Sequence, residues 1–195
     1  MSVYEEDTGR TGDGFGIALR RLAATRGTPF RARRGELLQA PRVRRSPLYV
    51  FAEGAAHAYV DAEGGRQTVR LAYPGEMLAA LPGLLLGAPS AIGIECVRAA
   101  AGYRLGVTEL RAFVSGDPDR QAAYARMLEE LTCGLMLREL DLLEPSPELR
   151  YRRVLARSPQ VFAHVPLKYV ASYLRMAPET LSRIRARDAA GEALS

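Results

Sequence analysis

The sequence of 195 residues has no tryptophan, only two cysteines and only two histidines. An iron–sulfur cluster needs about four thiolates, so two cysteines exclude a sensor of that kind. Metal-dependent enzymes need a cluster of histidines and carboxylates, whereas His57 is alone in the predicted β region and His164 lies close to the C-terminal helical pattern. A lone histidine is more often structural, so we expect neither haem nor metal. With no Ser/His/Asp set and no phosphate-binding loop, the sequence predicts no enzyme.

The sequence also lacks long apolar runs. None reaches the roughly 18–20 residues of a membrane span, and the acidic start, MSVYEED, lacks the basic and apolar regions of a signal peptide. Cys96 and Cys133 both have apolar neighbours, which predicts two buried free thiols rather than a disulfide. Free thiols are typical of a reducing compartment, so we expect a cytoplasmic protein. A hydrophobic content of 48% is enough for a substantial core.

The positive charge is concentrated near the C-terminus. The whole chain carries a net charge of +5, but residues 150–187 hold nine Arg or Lys and a single acid, Glu179. Such a segment is expected where a protein faces phosphates. An arginine-rich surface that only faces solvent is the alternative interpretation.

Residues 165–187 contain two short amphipathic helical patterns in succession. Pro178 suits the first position of the second helix, because its φ is fixed and its missing N–H would be unpaired there. Ala171 is the small residue at which the two helices would cross. The pattern predicts a helix-turn-helix, with an ordinary helical hairpin as the alternative. The apolar positions that define the two helices are Leu167, Val170, Ala171, Leu174, Leu181 and Ile184.

The N-terminal half has a different pattern. Residues 15–26 predict an amphipathic helix that ends at Gly27. Residues 30–114 alternate short β-type runs with turn signals, as in a sandwich or barrel. The clearest hairpin turns at Gly64–Gly65, and a short apolar helix is predicted at 78–86. The predicted strands are 48–52, 56–60, 67–73, 92–98 and 103–107.

Asp117 and Pro118 predict the start of a long helix that runs to Leu143. One apolar stripe has the 4-3-4 spacing of a coiled-coil seam. The helix could therefore pack on its own domain and on a second copy, or both of its stripes could be intramolecular core. The seam residues are Tyr124, Leu128, Leu131 and Leu135, and the second stripe is Met127, Met136, Leu140 and Leu143.

A hinge at 144–147 and a basic helix at 148–156 precede the helix-turn-helix. This order of elements resembles the Crp/Fnr superfamily of bacterial transcription regulators. The most specific similarity lies in residues 165–174 and 178–185, and residues 75–76 and 87–90 resemble the frame of a cyclic-nucleotide-binding segment.

The resemblance implies an α+β fold, in which residues 1–116 form an antiparallel β-roll sensor domain of the jelly-roll, cupin-like type. It also implies a dimerisation helix at 117–144 and a DNA-binding domain at 145–195.

The resemblance also implies a homodimer that places two recognition helices in successive major grooves of near-palindromic double-stranded DNA, with RNA polymerase as a further candidate partner. Pro178, Glu179 and Arg183 fall on the base-contacting positions. Arg183 suits guanine and Glu179 suits cytosine. The candidate phosphate contacts are Lys168, Arg175, Thr180, Ser182, Arg185 and Arg187.

Two residues depart from the family's pattern. Arg175 occupies the turn position that usually carries Gly, and a positive φ there would cost roughly 1 kcal/mol. Ala177 occupies the cap position, so one N–H at the helix end lacks a local acceptor.

The effector pocket implied by the resemblance is degenerate. In the family, an Arg directly before a Ser holds the cyclic phosphate, and a Glu further upstream holds the ribose hydroxyl. Here Pro89 precedes Ser90, and Ala80 replaces the Glu, although Gly75 and Glu76 are kept. Burying a phosphate without a cation is costly, so we expect no tight binding of cyclic AMP or cyclic GMP.

An unknown apolar effector and a roll filled by side chains both remain open. The rival function is an effector-sensing module that acts through protein contacts and has lost DNA binding.

Overall fold

The computed structural model describes residues 13–191. Strands dominate the first half of this range and helices the second, so the predicted α+β class is confirmed. The elements are α1 Asp13–Arg26, β1 Thr28–Ala32, β2 Leu37–Gln39, β3 Leu48–Ala62, β4 Gly65–Ala72, β5 Met77–Leu78, α2 Leu81–Leu85, β6 Gly93–Leu105, α3 Val107–Ser115, α4 Pro118–Leu143, α5 Pro147–Arg157, α6 Val161–His164, α7 Leu167–Tyr173 and α8 Pro178–Ala189.

The six strands form one antiparallel sheet in the order β1-β6-β3-β4, with β2 on β6 and β5 on β3. Ala62 pairs with Gly65, which confirms the predicted hairpin. Aromatic side chains fill the roll: the ring of Phe30 meets those of Tyr49 and Phe51 edge-on, at centroid distances of 5.8 and 5.7 Å. Edge-on contacts of this kind are favourable beyond the area that they bury.

Two pairs of predicted strands are in fact single long strands. Residues 48–52 and 56–60 both belong to β3, and 92–98 and 103–107 both belong largely to β6. Gly54 has a φ of +77°, and a Cβ at this position would lie 2.0 Å from the carbonyl oxygen of Ala99. The glycine therefore marks a β-bulge, where the register shifts, and not a turn.

Three further expectations were wrong. The helix predicted at 78–86 is only α2, because Leu78 belongs to β5 and Leu86 is 80% exposed. Helix α3 was not predicted, since its β-branched residues resemble a strand. Cys133 is exposed on the outer side of α4, although Cys96 is buried and both thiols are free as expected.

Helix α4 begins as predicted. The Asp117 side chain accepts hydrogen bonds from the backbone N–H groups of Asp119 and Arg120, at 2.8 and 3.3 Å. The first turns of α4 pack against α1, where the Phe15 ring lies 6.0 Å from the ring of Tyr124. In the described part of the chain, no helix combines the length and apolar character needed to cross a membrane.

The C-terminal helices pack directly on the roll. One apolar cluster contains Ala55 and Val97 of the sheet together with Val170 of α7, Leu174 directly after α7 and Leu181 of α8. At its edge the ring of Tyr169 meets His57 at a centroid distance of 4.7 Å. His57 is 2% exposed, and its Nδ1 lies 3.0 Å from Thr68 Oγ1. Burial, followed by repulsion from Arg66 and Lys168, lowers the pKa of His57 to about 4.

This depressed pKa predicts a loss of stability in mild acid. Between pH 6.5 and 4 the unfolded state binds a proton at His57 that the folded state excludes, so stability falls as the pH falls through this window. Between pH 7.5 and 5 the wild type should lose about 2 kcal/mol more of its unfolding free energy than His57→Gln does. Urea unfolding at the two pH values measures both losses, and equal losses would contradict the account.

Candidate nucleic-acid interface

The predicted helix-turn-helix consists of α7 and α8. Val170 and Ala171 of α7, Leu174 directly after it and Leu181 of α8 are each 0% exposed, and Ile184 is 1% exposed. Ala171 is thus buried, as expected for a small residue at a helix crossing. Burying these side chains directs the remaining residues of α8 outward.

The outward side of α8 is polar and open. Pro178, Glu179, Ser182 and Arg183 are exposed, and Thr180 is half-buried. Glu179 and Arg183 are four residues apart, so they lie one turn apart on one side of the helix. Among the described residues, neither side chain has a hydrogen bond or an ion pair. Both are therefore available to an external partner.

The other predicted phosphate contacts differ in their surroundings. Lys168 is exposed, with its Nζ 4.7 Å from the centroid of the Tyr169 ring. The guanidinium of Arg185 lies 5.3 Å from the ring of Phe162. Arg187 is half-buried, and its Nη2 donates to Glu148 Oε1 at 2.7 Å. An anion would have to compete with Glu148 for Arg187, whereas Lys168 and Arg185 are exposed and form no ion pair within residues 13–191.

The turn between the helices contains Arg175, whose φ is +55°. Its N–H donates to Ser172 at 3.2 Å, and the N–H of Met176 donates to Ala171 at 3.1 Å. This is the Schellman pattern, which places a left-handed residue after the helix and usually selects Gly. The side chain of Arg175 is exposed.

The start of α8 has the features predicted from the sequence. Ala177 provides no side-chain cap, and Pro178 is the first residue of the helix. Pro178 removes one of the N–H groups that would otherwise lack a partner. The N–H groups that follow Pro178 in the first turn of α8 therefore receive no acceptor from the side chain at the cap position.

Residues outside the motif hold the end of α7. The Ser172 hydroxyl accepts the backbone N–H of Thr68 at 3.0 Å, and Gln67 Nε2 donates to the Ser172 carbonyl. Arg138 of α4 donates to the carbonyl of Tyr173. The sequence reasoning missed Arg138, although a charged residue three positions after the predicted seam residue Leu135 was a signal that could have been noticed.

Only part of the apolar surface of α4, the predicted dimer helix, packs against other residues of its own chain. Tyr124 packs into the intramolecular cluster around α1 and α3, and Leu128 and Leu131 are half-buried. Further along, α4 presents apolar side chains to solvent with exposures between 43% and 77%. These residues are Leu135, Met136, Leu140 and Leu143.

At the predicted effector pocket, two of the residues form hydrogen bonds with neighbouring parts of the same chain. Ala80 is 0% exposed, and its N–H donates to Ser46 Oγ at 3.2 Å. Ser90 is buried, and its hydroxyl accepts the N–H of Ile92 at 3.1 Å. Pro89 is exposed and offers no cation. Gly75 and Glu76 lie in the turn between β4 and β5, where the N–H of Gly75 donates to the Phe51 carbonyl at 2.9 Å and the Glu76 carbonyl accepts the N–H of Phe51 at 3.1 Å.

The sequence reasoning also missed an arginine near Ser90. The backbone N–H of Arg42 donates to the Ser90 carbonyl at 2.6 Å, and Arg42 has a φ of +69°. Its side chain is exposed. No group of three or more His, Cys, Asp or Glu residues with the geometry of a metal site occurs within 13–191.

Comparison with known structures identifies the fold. FixK2 from Bradyrhizobium japonicum is similar at a TM-score of 0.67 and 18% identity, covering 85% of this chain and 86% of that one. A transcriptional regulator of the CRP/FNR family from Thermus thermophilus gives 0.59 and 18%, covering 84% and 87%. The catabolite activator protein of the same organism gives 0.53 and 21%, covering 90% and 84%.

The chain therefore has the fold of the Crp/Fnr transcriptional regulators, as its sequence predicted. No protein-family model matches the sequence, and no curated protein matches it either.

The left-handed turn makes a separable prediction. Arg175→Gly should raise the unfolding free energy by up to about 1 kcal/mol, because Gly adopts a positive φ without steric cost. Arg175→Ala is the matched control, since it removes the same charge but keeps the Cβ. Denaturant unfolding of the two variants measures the difference, and equal stability would show that the turn is unstrained.

Proposed function

We propose that this protein is a transcriptional regulator that binds a near-palindromic DNA site as a homodimer. The observation that carries the proposal is the outward side of α8, where Glu179 and Arg183 stand exposed without intramolecular partners in the described chain. Arg can donate two hydrogen bonds to guanine, and Glu can accept one from cytosine. Glu179 and Arg183 are close enough along the helix to form an ion pair with each other. In the described chain they form none.

We call the outward side of α8, with Glu179 and Arg183, the reading surface. Cations around this surface support binding to phosphates. Lys168 and Arg175 are exposed on the α7 side, and Arg185 is exposed on α8. Phosphate contacts fix the register of a protein on the duplex, while contacts to base edges select the sequence. In the proposed complex, Arg183 and Glu179 select the sequence, and these cations provide most of the affinity.

The exposed apolar residues of α4 support a dimer. Leu135, Met136 and Leu143 would each leave water if α4 packed against α4 of a second copy. A pair of helix-turn-helix units can then reach two half-sites about one helical turn apart. In the proposed dimer, Tyr124 stays in the core of its own chain, and the seam runs from the half-buried Leu128 to the exposed Leu143.

We propose that the protein has no catalytic activity, acts in the cytoplasm and could contact RNA polymerase when bound to DNA. The rival is an effector-sensing module that acts through protein contacts only. That rival does not require an open, charged reading surface, whereas the DNA-binding proposal does.

Two substitutions test the assigned roles. Arg183→Ala should cost about 1–3 kcal/mol on the cognate site and relax the preference at one base pair. Lys168→Ala should weaken binding to all sequences alike and reduce its dependence on salt. The measurement is a gel-shift titration against the upstream region of the protein's own gene at two salt concentrations, followed by single-base variants of the bound site.

The wild-type titration decides between the two functions. A shift that weakens at the higher salt concentration supports the proposed regulator. A shift that is absent, or insensitive to salt, favours the protein-contact module. Identical effects of the two substitutions on every sequence would contradict the division of roles.

We further propose that cyclic AMP and cyclic GMP are not effectors of this protein. Ala80 offers no carboxylate for a ribose hydroxyl, and Pro89 offers no cation for the phosphate. The hydroxyl of Ser90 is already engaged with the backbone of Ile92. An effector of this degenerate pocket would need different chemistry.

Isothermal titration calorimetry with either nucleotide should therefore detect no binding at micromolar concentrations. Measurable micromolar affinity would contradict this proposal. In that case, loss of the heat signal in Arg42→Ala would identify Arg42 as the substitute cation beside Ser90.

A further inference from the structure

Arg138 is a buried cation in the middle of α4. Its exposed fraction is 8%, on a helix that is largely half-buried or exposed. Burying an arginine is costly unless other groups compensate for the lost water. Arg138 is therefore expected to do more than fill space.

The partners of Arg138 belong to the helix-turn-helix. One of its terminal nitrogens donates to the backbone carbonyl of Tyr173, and its guanidinium carbon lies 3.8 Å from the centroid of the Tyr173 ring. Tyr173 is the last residue of α7. A single side chain of α4 thus holds both the main chain and the side chain at the end of the first helix of the motif.

No carboxylate forms an ion pair with Arg138 within the described chain, although the charge of Asp141 attracts it. Glu139 is exposed, and Asp141, one turn further along α4, is 2% exposed and is paired with Arg157 and Arg153. The negative partners of Arg138 are instead the carbonyl end of α7, which carries the negative pole of the helix dipole, and the face of an aromatic ring. Its second terminal nitrogen, Nη1, has no hydrogen-bond partner among residues 13–191.

The same end of α7 is also held from the sheet through Ser172, by Gln67 and the backbone of Thr68. The guanidinium of Arg150 in α5 lies more loosely, 3.4 Å from the carbonyl of Arg175. Three elements therefore meet at one helix end, and among them Arg138 is the contact from α4. Since α4 carries the proposed dimer seam, this contact joins the seam to the reading unit.

We propose that Arg138 is a positioning residue that fixes the orientation of the helix-turn-helix on α4, and through it the distance between the two recognition helices of the dimer. This inference rests on the proposed function. It assigns Arg138 no contact with DNA. Its consequence is a preference for one spacing of the half-sites, because a planar guanidinium bonded and stacked on one residue restrains direction as well as distance.

The first test measures that preference. The full-length protein is titrated by fluorescence anisotropy, at constant salt, with operators whose half-sites are at the best spacing or one base pair longer or shorter. The wild type should prefer the best spacing by about tenfold, roughly the loss of one good base contact. Arg138→Met, which keeps the volume and removes the donors, should bring all three operators to within about twofold of one another.

Arg126→Met is the matched control. Arg126 is exposed on the same helix and has no side-chain hydrogen bond or ion pair with the described residues. It should keep the full spacing preference even if all affinities fall together. The proposal is overturned if Arg138→Met also weakens all three operators equally and keeps the preference, because Arg138 would then only stabilise the fold.

A second measurement does not depend on DNA. Nitroxide labels are placed on Glu129→Cys in α4 and Ser182→Cys in α8, in a Cys133→Ser background. Cys96 stays unlabelled, because it is buried and burial raises the pKa of its thiol to about 11. An excess of unlabelled chain leaves each dimer with one labelled copy, so that pulsed electron paramagnetic resonance reports the distance within a chain.

The distance distribution should be narrow in the wild type and in Arg126→Met, and broader in Arg138→Met. An unchanged distribution in Arg138→Met overturns the proposal. If the wild type binds no DNA, the proposed function fails while these distances still test Arg138. If Arg138→Met does not fold, Arg138→Lys is measured instead. Lys keeps the charge without the planar fork, so a fully retained narrow distribution in that variant also overturns the proposal.

Discussion

The position of α7 depends on one shared apolar cluster. Val170 of α7 and Leu174, which directly follows α7, are buried together with Ala55 and Val97 of the sheet and with Leu181 of α8. Burying each such aliphatic side chain contributes about 1.5–3 kcal/mol, more than the 0.5–1.5 kcal/mol of a typical hydrogen bond. The cluster therefore holds the C-terminal helices on the sheet, and we propose that the polar contacts at its edge set the angle of the helices.

The reading surface follows from this burial. Once Leu181 and Ile184 point into the cluster, Glu179 and Arg183 must face the other way. Two polar contacts also hold α8 against α5: the hydroxyl of Tyr151 donates to Asp188 at 2.8 Å, and Arg187 pairs with Glu148. The side chains proposed to contact DNA are thus those that form no hydrogen bond or ion pair within the described chain.

The sequence predicted the parts of the fold that depend on local patterns. The 3.6-residue periodicity of 165–187, the cap at Asp117 and the glycines of the β3–β4 hairpin are all local signals, and each led to the observed element. The β-bulge at Gly54 was not predictable in this way, because the need for a glycine comes from the approach of Ala99 on a distant strand.

The same limit applies to the candidate site. The outward residues of α8 could be read from spacing, since a helix separates its faces by period alone. The role of Arg138 could not, because its partner lies 35 residues away across a tertiary contact. The exposure of Cys133 was missed because its apolar neighbours Leu135 and Met136 are themselves exposed on α4.

The central claim is that two copies of α8 place Arg183 against guanines in successive major grooves. Methylation protection of guanine N7 on a bound operator tests this claim most directly, since N7 is one of the two acceptors that Arg reads. The account predicts two protected guanines related by the operator's two-fold axis and separated by about 10 base pairs, with both protections lost in Arg183→Ala. Protection that persists in Arg183→Ala, or that occurs in one half-site only, would contradict it.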